Sequence, residues 1–235
     1  MSDFAIMTKQ LEQCAGKRIF AEIRSVELSY RTFAANSKEL LDAANWYQDA
    51  EAARDLWALG RSEQLEEFVG EVMRFLHNYL ASVKSLVDHS RRIVRGLCDQ
   101  TAFWTEYQGR VEATFMPPLP QFVQGLRNYA LHRDVPITGV SIRYEKGKLY
   151  GLLRLDLRNL RQWDGWTTAA QSYLAEVGRE LSIADPVEEY FIIAEEFHEW
   201  LIERLQQVFA LELEAMQAIR CEIAELVAKA ANGKT

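Results

Sequence analysis

The sequence has few cysteines, no long apolar run and no excess of basic residues. The cysteines, Cys14, Cys98 and Cys221, are far apart, their number is odd, and no two have the spacing of metal ligands. They therefore indicate neither a disulfide framework nor a zinc site. The longest unbroken apolar run, Tyr190 to Ala194, is far shorter than the roughly 20 residues that a membrane-spanning helix needs. The formal net charge of −7 argues against bulk attraction to nucleic acid or an acidic membrane.

These absences predict a cytoplasmic protein with no membrane partner. Unpaired cysteines are typical of a reducing compartment. Residues 1–7 carry neither the basic leader nor the long apolar core of a signal peptide. Apolar residues make up 49% of the chain and charged residues 26%, which is ample for a folded core and unlike a disordered chain.

Apolar residues recur at helical spacing through most of the chain. The pattern predicts helices over about residues 18–35, 37–59, 63–97, 99–113, 120–132, from 164 onward and 185–229. Asn36 and Glu39 have the spacing of a capping box, so we expect a new helix to start there and to end at Gly60. Asp99 is the expected cap of the fourth helix. Asp185 is expected to cap the last one, with a proline directly after it.

The apolar period changes from 3.6 to 2 between about residues 138 and 157. Apolar and polar residues alternate over 140–144 and again over 153–157, and residues 145–148 between them suit a two-residue hairpin turn. We therefore expect a mainly α fold in a single domain, residues 1–235. Its architecture would be a bundle of long antiparallel helices with one inserted β-hairpin.

Charge is spread unevenly along the chain. Residues 127–161 contain eight Lys or Arg and three Asp or Glu, a net charge of +5, whereas residues 185–229 contain eleven acidic and three basic residues, a net charge of −8. A local basic patch on an acidic protein suggests an RNA contact, through Arg143, Lys146, Lys148 and Arg154 of the hairpin. The alternative is a solvated hairpin whose basic side chains only face water.

A short segment of the 120–132 helix contains the residues best suited to chemistry. Arg127 is followed directly by Asn128, and His132 comes four residues later. This segment resembles the signature of the HEPN superfamily, in which an arginine and a polar residue precede a histidine on one helix of a helical bundle. The resemblance covers about residues 37–135, with helices over 164–229 completing the bundle. It implies a metal-independent ribonuclease without a cofactor, whose site forms where two copies meet in a homodimer.

These residue types can cleave RNA without a metal ion. His132 can act as a general acid or base near neutral pH, and Arg127 can hold a phosphate and stabilise its developing charge. Asn128 lies one helical turn before His132 and can orient the imidazole or donate to phosphate. Arg127 and His132 are roughly 140° apart on the helix, so a second copy would complete the site. The alternative is that Arg127 forms a surface ion pair and His132 caps the helix.

The sequence thus leads to the hypothesis of an endoribonuclease with RNA as its substrate. The resemblance suggests a toxin–antitoxin or phage-defence system, with an antitoxin or other regulatory protein as a further partner. Two alternatives stay open: a non-catalytic module of the same fold that binds RNA, a nucleotide or a protein, and a structural adaptor that uses the acidic C-terminal helix. Glu195 and His198 have the spacing of half a di-iron motif, but the second half is lacking, so no metal site is predicted.

Overall fold

The computed structural model describes residues 3–49, 51–58, 60–134, 136–145 and 147–232. Its elements in chain order are α1 (Asp3–Gln13), α2 (Ala15–Gln48), a short 3₁₀ helix (Arg54–Trp57), α3 (Ser62–Cys98), α4 (Ala102–Phe115), α5 (Pro118–His132), β1 (Ile137–Glu145), β2 (Lys148–Leu155), α6 (Leu157–Gln162), α7 (Thr168–Glu176), α8 (Ala184–Val208) and α9 (Ala210–Asn232). This order confirms the predicted mainly α fold with one β-hairpin.

The centre of the core lies where α2, α3 and α8 meet. α2 packs along α3 and against α8. The ring of Phe33 in α2 contacts Tyr79 of α3 and Tyr190 and Phe191 of α8, at centroid distances of 5.9 to 6.0 Å. α5 packs against α3, α7 and α8. The buried apolar side chains of α2 through α8 form one continuous cluster.

The helix break predicted at Asn36 is wrong. α2 runs without interruption from Ala15 to Gln48, and Asn36 Nδ2 donates to Thr32 O at 3.0 Å within that helix instead of capping a new one. The flanking residues Phe33 and Leu40 are fully buried. Their packing favours a continuous helix over the local start signal. The helix expected to reach Gly60 consequently ends at Gln48, where the chain turns toward the 3₁₀ helix.

The predicted caps of α4 and α8 are displaced by a few residues. Thr101, and not Asp99, caps α4, because its Oγ1 accepts a hydrogen bond from Trp104 N at 3.3 Å. Asp185 lies within the first turn of α8, which begins at Ala184. Such small shifts are expected where several capping residues compete near one helix end.

The single helix predicted over residues 185–229 is two helices. α8 ends at Val208, Phe209 has φ −110° and ψ 25°, and α9 begins at Ala210. α9 packs on α1 and α2, and Met216 is its one buried side chain among those described. α9 therefore lies at the edge of the core. None of the helices described, these two included, is long and apolar enough to cross a membrane.

The hairpin lies where the period change predicted it. β1 and β2 pair antiparallel, from Ile137 opposite Leu155 to Glu145 opposite Lys148, and Gly147 has the positive φ of 82° that suits a two-residue turn. Residues 181–183 add two backbone hydrogen bonds of 3.0 Å to β2. The chain becomes helical again at Leu157, with α6, which is earlier than the predicted residue 164.

Candidate functional site

Aromatic packing fixes the position of α5. The helix begins at Pro118, in a first turn where a residue without an N–H is tolerated. The ring of Phe122 stacks on Trp166 and Tyr173 at centroid distances of 5.3 and 4.7 Å. Trp166 is itself held by a hydrogen bond from its Nε1 to Leu160 O, 2.6 Å long. These contacts bury one side of α5 and leave the opposite side uncovered.

Two residues of the HEPN-like motif, Asn128 and His132, lie on the uncovered side of α5, and Arg127 lies at the edge of that side. Asn128 and His132 are exposed, and Arg127 is half-buried. Leu131, which is 44% exposed, lies between Arg127 and Asn128 around the helix, because each residue turns the chain by about 100°. The structure therefore places the three predicted catalytic residues on one broad face, with an exposed leucine among them.

Arg127 and Asn128 contact each other, whereas His132 stands apart. Arg127 Nη1 donates to Asn128 Oδ1 at 3.2 Å, and Arg127 Nε is buried without a hydrogen-bond partner. Within the described residues, Arg127 forms no ion pair, so the surface ion pair considered above is not seen there. No hydrogen bond from Asn128 to the imidazole of His132 occurs in the same part of the chain. Asn128 thus orients the arginine and not the histidine.

Two of the four hairpin residues predicted to contact RNA are held by an acidic residue. Glu180 forms ion pairs with both Arg143 and Arg154, and the distance from Arg154 Nη1 to Glu180 Oε1 is 2.7 Å. Lys148 is exposed at the start of β2, and Lys146 lies outside the described residues. The structure therefore brings Arg143 and Arg154 together around Glu180, and it places Lys148 apart from them at the turn.

Some basic side chains of residues 127–161 stabilise the fold. The guanidinium of Arg161 donates to the carbonyl oxygens of Leu174, Val177 and Gly178 at distances of 2.7 to 3.1 Å. Arg161 therefore caps the C-terminal end of α7, where backbone carbonyls lack helical partners. Together with the ion pairs to Glu180, this contact leaves fewer guanidinium groups with free N–H donors on the hairpin side than the sequence count suggests.

A cleft beside the N-terminal half of α5 was not predicted from the sequence. It has a volume of about 450 Å³, and its walls come from α3, α4 and the start of α5, with Arg91, Arg95, Trp104, Gln121 and Gln124 among the lining residues. The two arginines are four residues apart on one face of α3, a spacing that the sequence contains. The tryptophan and the glutamines come from other helices, so no local pattern could have joined them to the arginines.

A polar groove between α2 and α3 contains a serine–histidine contact. Ser29 Oγ lies 2.7 Å from His89 Nδ1, which is the spacing of a nucleophile and its base. Ser29 Oγ also donates to Ser25 O at 3.1 Å within its own helix. No third group orients His89 through a hydrogen bond in the described part of the chain. The pair therefore lacks the orienting residue that an activated serine requires.

Glu195 and His198, which have the spacing of half a di-iron motif, pack against Tyr30 in the protein core. His198 is 8% exposed and stacks on Tyr30 with ring centroids 4.1 Å apart, and the Tyr30 hydroxyl donates to Glu195 Oε1 at 2.9 Å. Burial lowers the pKa of His198 to about 4, and burial together with the Glu195 hydrogen bond raises the pKa of Tyr30. Among the described residues, no group of three or more His, Cys, Asp or Glu side chains could hold a metal ion.

Comparison of the chain with protein-family models, with curated proteins and with solved structures gave no match.

Proposed function

We propose that this protein is a metal-independent endoribonuclease of the HEPN type, whose site is completed by a second copy of the chain. The observation that carries the proposal is that Asn128 and His132 lie on the uncovered side of α5, with Arg127 bonded to Asn128 at the edge of that side, while the opposite side of the helix is buried in the core. Catalytic groups need to face substrate from a rigid support, and this arrangement supplies one.

The reaction follows from the chemistry of these side chains. An unprotonated His132 removes the proton from an RNA 2′-hydroxyl, and the 2′-oxygen attacks the adjacent phosphorus. The bond from phosphorus to the 5′-oxygen breaks, and a protonated histidine donates a proton to that leaving oxygen. The products are a 2′,3′-cyclic phosphate and a 5′-hydroxyl. Arg127 binds the phosphate and stabilises the charge that develops on it, and Asn128 holds the guanidinium through its 3.2 Å hydrogen bond.

A second copy supplies the second histidine. The reaction needs a base and an acid at the same time, and each copy presents one histidine on α5. Isologous two-fold dimers are the commonest oligomers. The exposed side chain of Leu131, among the motif residues, gives such a dimer an apolar contact at its centre. The biological setting that goes with this proposal is a toxin or phage-defence system in which a partner protein restrains the nuclease.

The cleavage test uses RNA in EDTA. Wild-type protein should cut single-stranded RNA and leave a 2′,3′-cyclic phosphate, and His132→Ala should lower the rate by roughly 10²–10⁴. Arg127→Ala should reduce the rate to a comparable degree. The matched control is His77→Ala, since His77 is another exposed histidine and lies on α3. Wild-type protein that binds RNA but never cuts it would support the non-catalytic binding module instead.

The dimer test uses a charge at the proposed two-fold contact. Leu131→Asp should convert a dimer into a monomer in light scattering, leave the circular dichroism spectrum unchanged and remove cleavage. Leu211→Asp is the control, because Leu211 lies on α9 and is 80% exposed, so the same change there should alter neither property. A strictly monomeric wild-type protein at micromolar concentration would contradict the composite site.

A further inference from the structure

We propose that the cleft between α3, α4 and α5 binds one unpaired nucleotide of the RNA substrate, next to the phosphate that is cut. This inference rests on the proposed ribonuclease function and adds a substrate-binding subsite to it. The cleft volume of about 450 Å³ lies within the range of small-ligand sites.

The cleft contains positive charge that the fold does not neutralise. Arg91 and Arg95 are exposed and lie one turn apart on α3. Within the described residues, neither guanidinium forms an ion pair or a hydrogen bond. Among the described residues, Glu112 is the one carboxylate on the cleft wall, so the two arginines outnumber it. Guanidinium groups bind phosphate oxygens through paired N–H donors, which makes this wall suited to the RNA backbone.

The part of the wall that comes from α4 offers an aromatic surface for a base. Trp104 lines the cleft and is half-buried. Its ring stacks on that of Tyr107 with centroids 5.7 Å apart and an interplanar angle of 22°, which holds the indole in place. Bases that are not paired stack on such side chains. Paired bases in a duplex cannot reach them, so the cleft favours single-stranded RNA.

Amide side chains supply groups that can bond to base edges. The side-chain amides of Gln108 and Gln124 line the cleft and form no hydrogen bond with the described part of the protein, whereas Gln121 Nε2 donates to Phe115 O at 2.7 Å. Amide groups have both donors and acceptors. The cleft therefore combines phosphate-binding, stacking and edge-bonding groups.

The cleft continues into the face that carries the motif. Gln121, Gln124, Asn128 and His132 follow one another at helical spacing along the uncovered side of α5. His132 lies eight residues after Gln124, so the two residues are about 12 Å apart along the axis of α5. A strand with one nucleotide in the cleft can thus reach the motif.

The test measures binding of a short labelled single-stranded RNA in EDTA, in a His132→Ala background in which cleavage is expected to be slow. Each phosphate that an arginine neutralises contributes roughly 0.7 to the slope of log K against log salt. Arg91→Gln combined with Arg95→Gln should therefore weaken binding and lower that slope by up to about 1.4. Trp104→Leu should weaken binding about 5- to 150-fold, and Trp104→Phe should retain most of the affinity.

The controls separate this subsite from charge in general and from the nuclease itself. Arg74→Gln combined with Arg92→Gln removes the same charge from α3 at side chains that pair with Glu71 and Glu22, and it should leave the salt slope unchanged. An unchanged affinity in both cleft variants would overturn the proposal, even for a protein that cleaves RNA. AMP binding as tightly as the RNA would also overturn it, in favour of a free-nucleotide site. Cleft-dependent binding by a protein that never cuts RNA would uphold the subsite and refute the nuclease.

Discussion

Gly125 allows α5 to approach Trp166 closely. A methyl group at this position should displace the helix that carries Arg127, Asn128 and His132. A Cβ added at Gly125 would lie 2.5 and 2.6 Å from two ring carbons of Trp166, about 1 Å closer than the usual contact between carbon atoms. Trp166 cannot easily move away, because it is 6% exposed and its Nε1 donates to Leu160 O. Gly125→Ala should therefore force α5 or the indole to shift.

The size of the effect is the difference between two terms. Overpacking a core typically costs about 1–3 kcal/mol, while replacing glycine by alanine inside a helix contributes roughly 1 kcal/mol of stabilisation. Gly125→Ala should therefore lower the free energy of unfolding by between zero and about 2 kcal/mol. Gly70→Ala is the matched control, because Gly70 lies within α3 and a Cβ there meets nothing within 4 Å. That variant should be stabilised by up to about 1 kcal/mol.

Urea unfolding followed by circular dichroism measures both variants. The free energies of unfolding should differ by about 1–3 kcal/mol, since the helix-propensity term is common to the two. RNA cleavage should fall in Gly125→Ala and stay at the wild-type rate in Gly70→Ala, because only the first displaces the helix that carries Arg127 and His132. If Gly125→Ala is as stable as Gly70→Ala, the close packing of α5 on Trp166 is refuted.

Three further predictions concern other parts of the fold. Burial lowers the folded-state pKa of His198 to about 4, so the stability that neutral His198 contributes is complete above pH 6.5. It declines by up to about 3 kcal/mol as the pH falls to 4. Urea titrations of His198→Phe should lack this decline in the free energy of unfolding. Arg161→Ala should lower the free energy of unfolding by about 2–3 kcal/mol because it removes the α7 cap, whereas Arg158→Ala, exposed on α6, should stay within about 0.5 kcal/mol. Glu180→Gln should remove the negative charge that faces Arg143 and Arg154 and raise RNA affinity at low salt; unchanged affinity would mean that the hairpin does not contact RNA.

The elements whose signals are local could be located from the amino-acid sequence. Apolar spacing identified α3, the proline cluster placed the start of α5, and the change of period located the hairpin, because each pattern depends on residues that are neighbours in the chain. The same patterns misplaced boundaries wherever long-range packing competes with a cap. Asn36 lies inside α2 because Phe33 and Leu40 on either side are buried, and no local rule contains that information.

Some features of the candidate site could likewise be predicted from the sequence, and others depend on tertiary packing. The spacing of Arg127, Asn128 and His132 was visible in the sequence, as was the count of basic residues around the hairpin. Which of those charges are already paired depends on long-range packing, because Glu180 lies 26 residues after Arg154 in the chain and pairs with both Arg154 and Arg143. The cleft likewise exists only because α3, α4 and α5 converge. Side chains that are distant in sequence become one surface through packing, and that packing depends on the whole core.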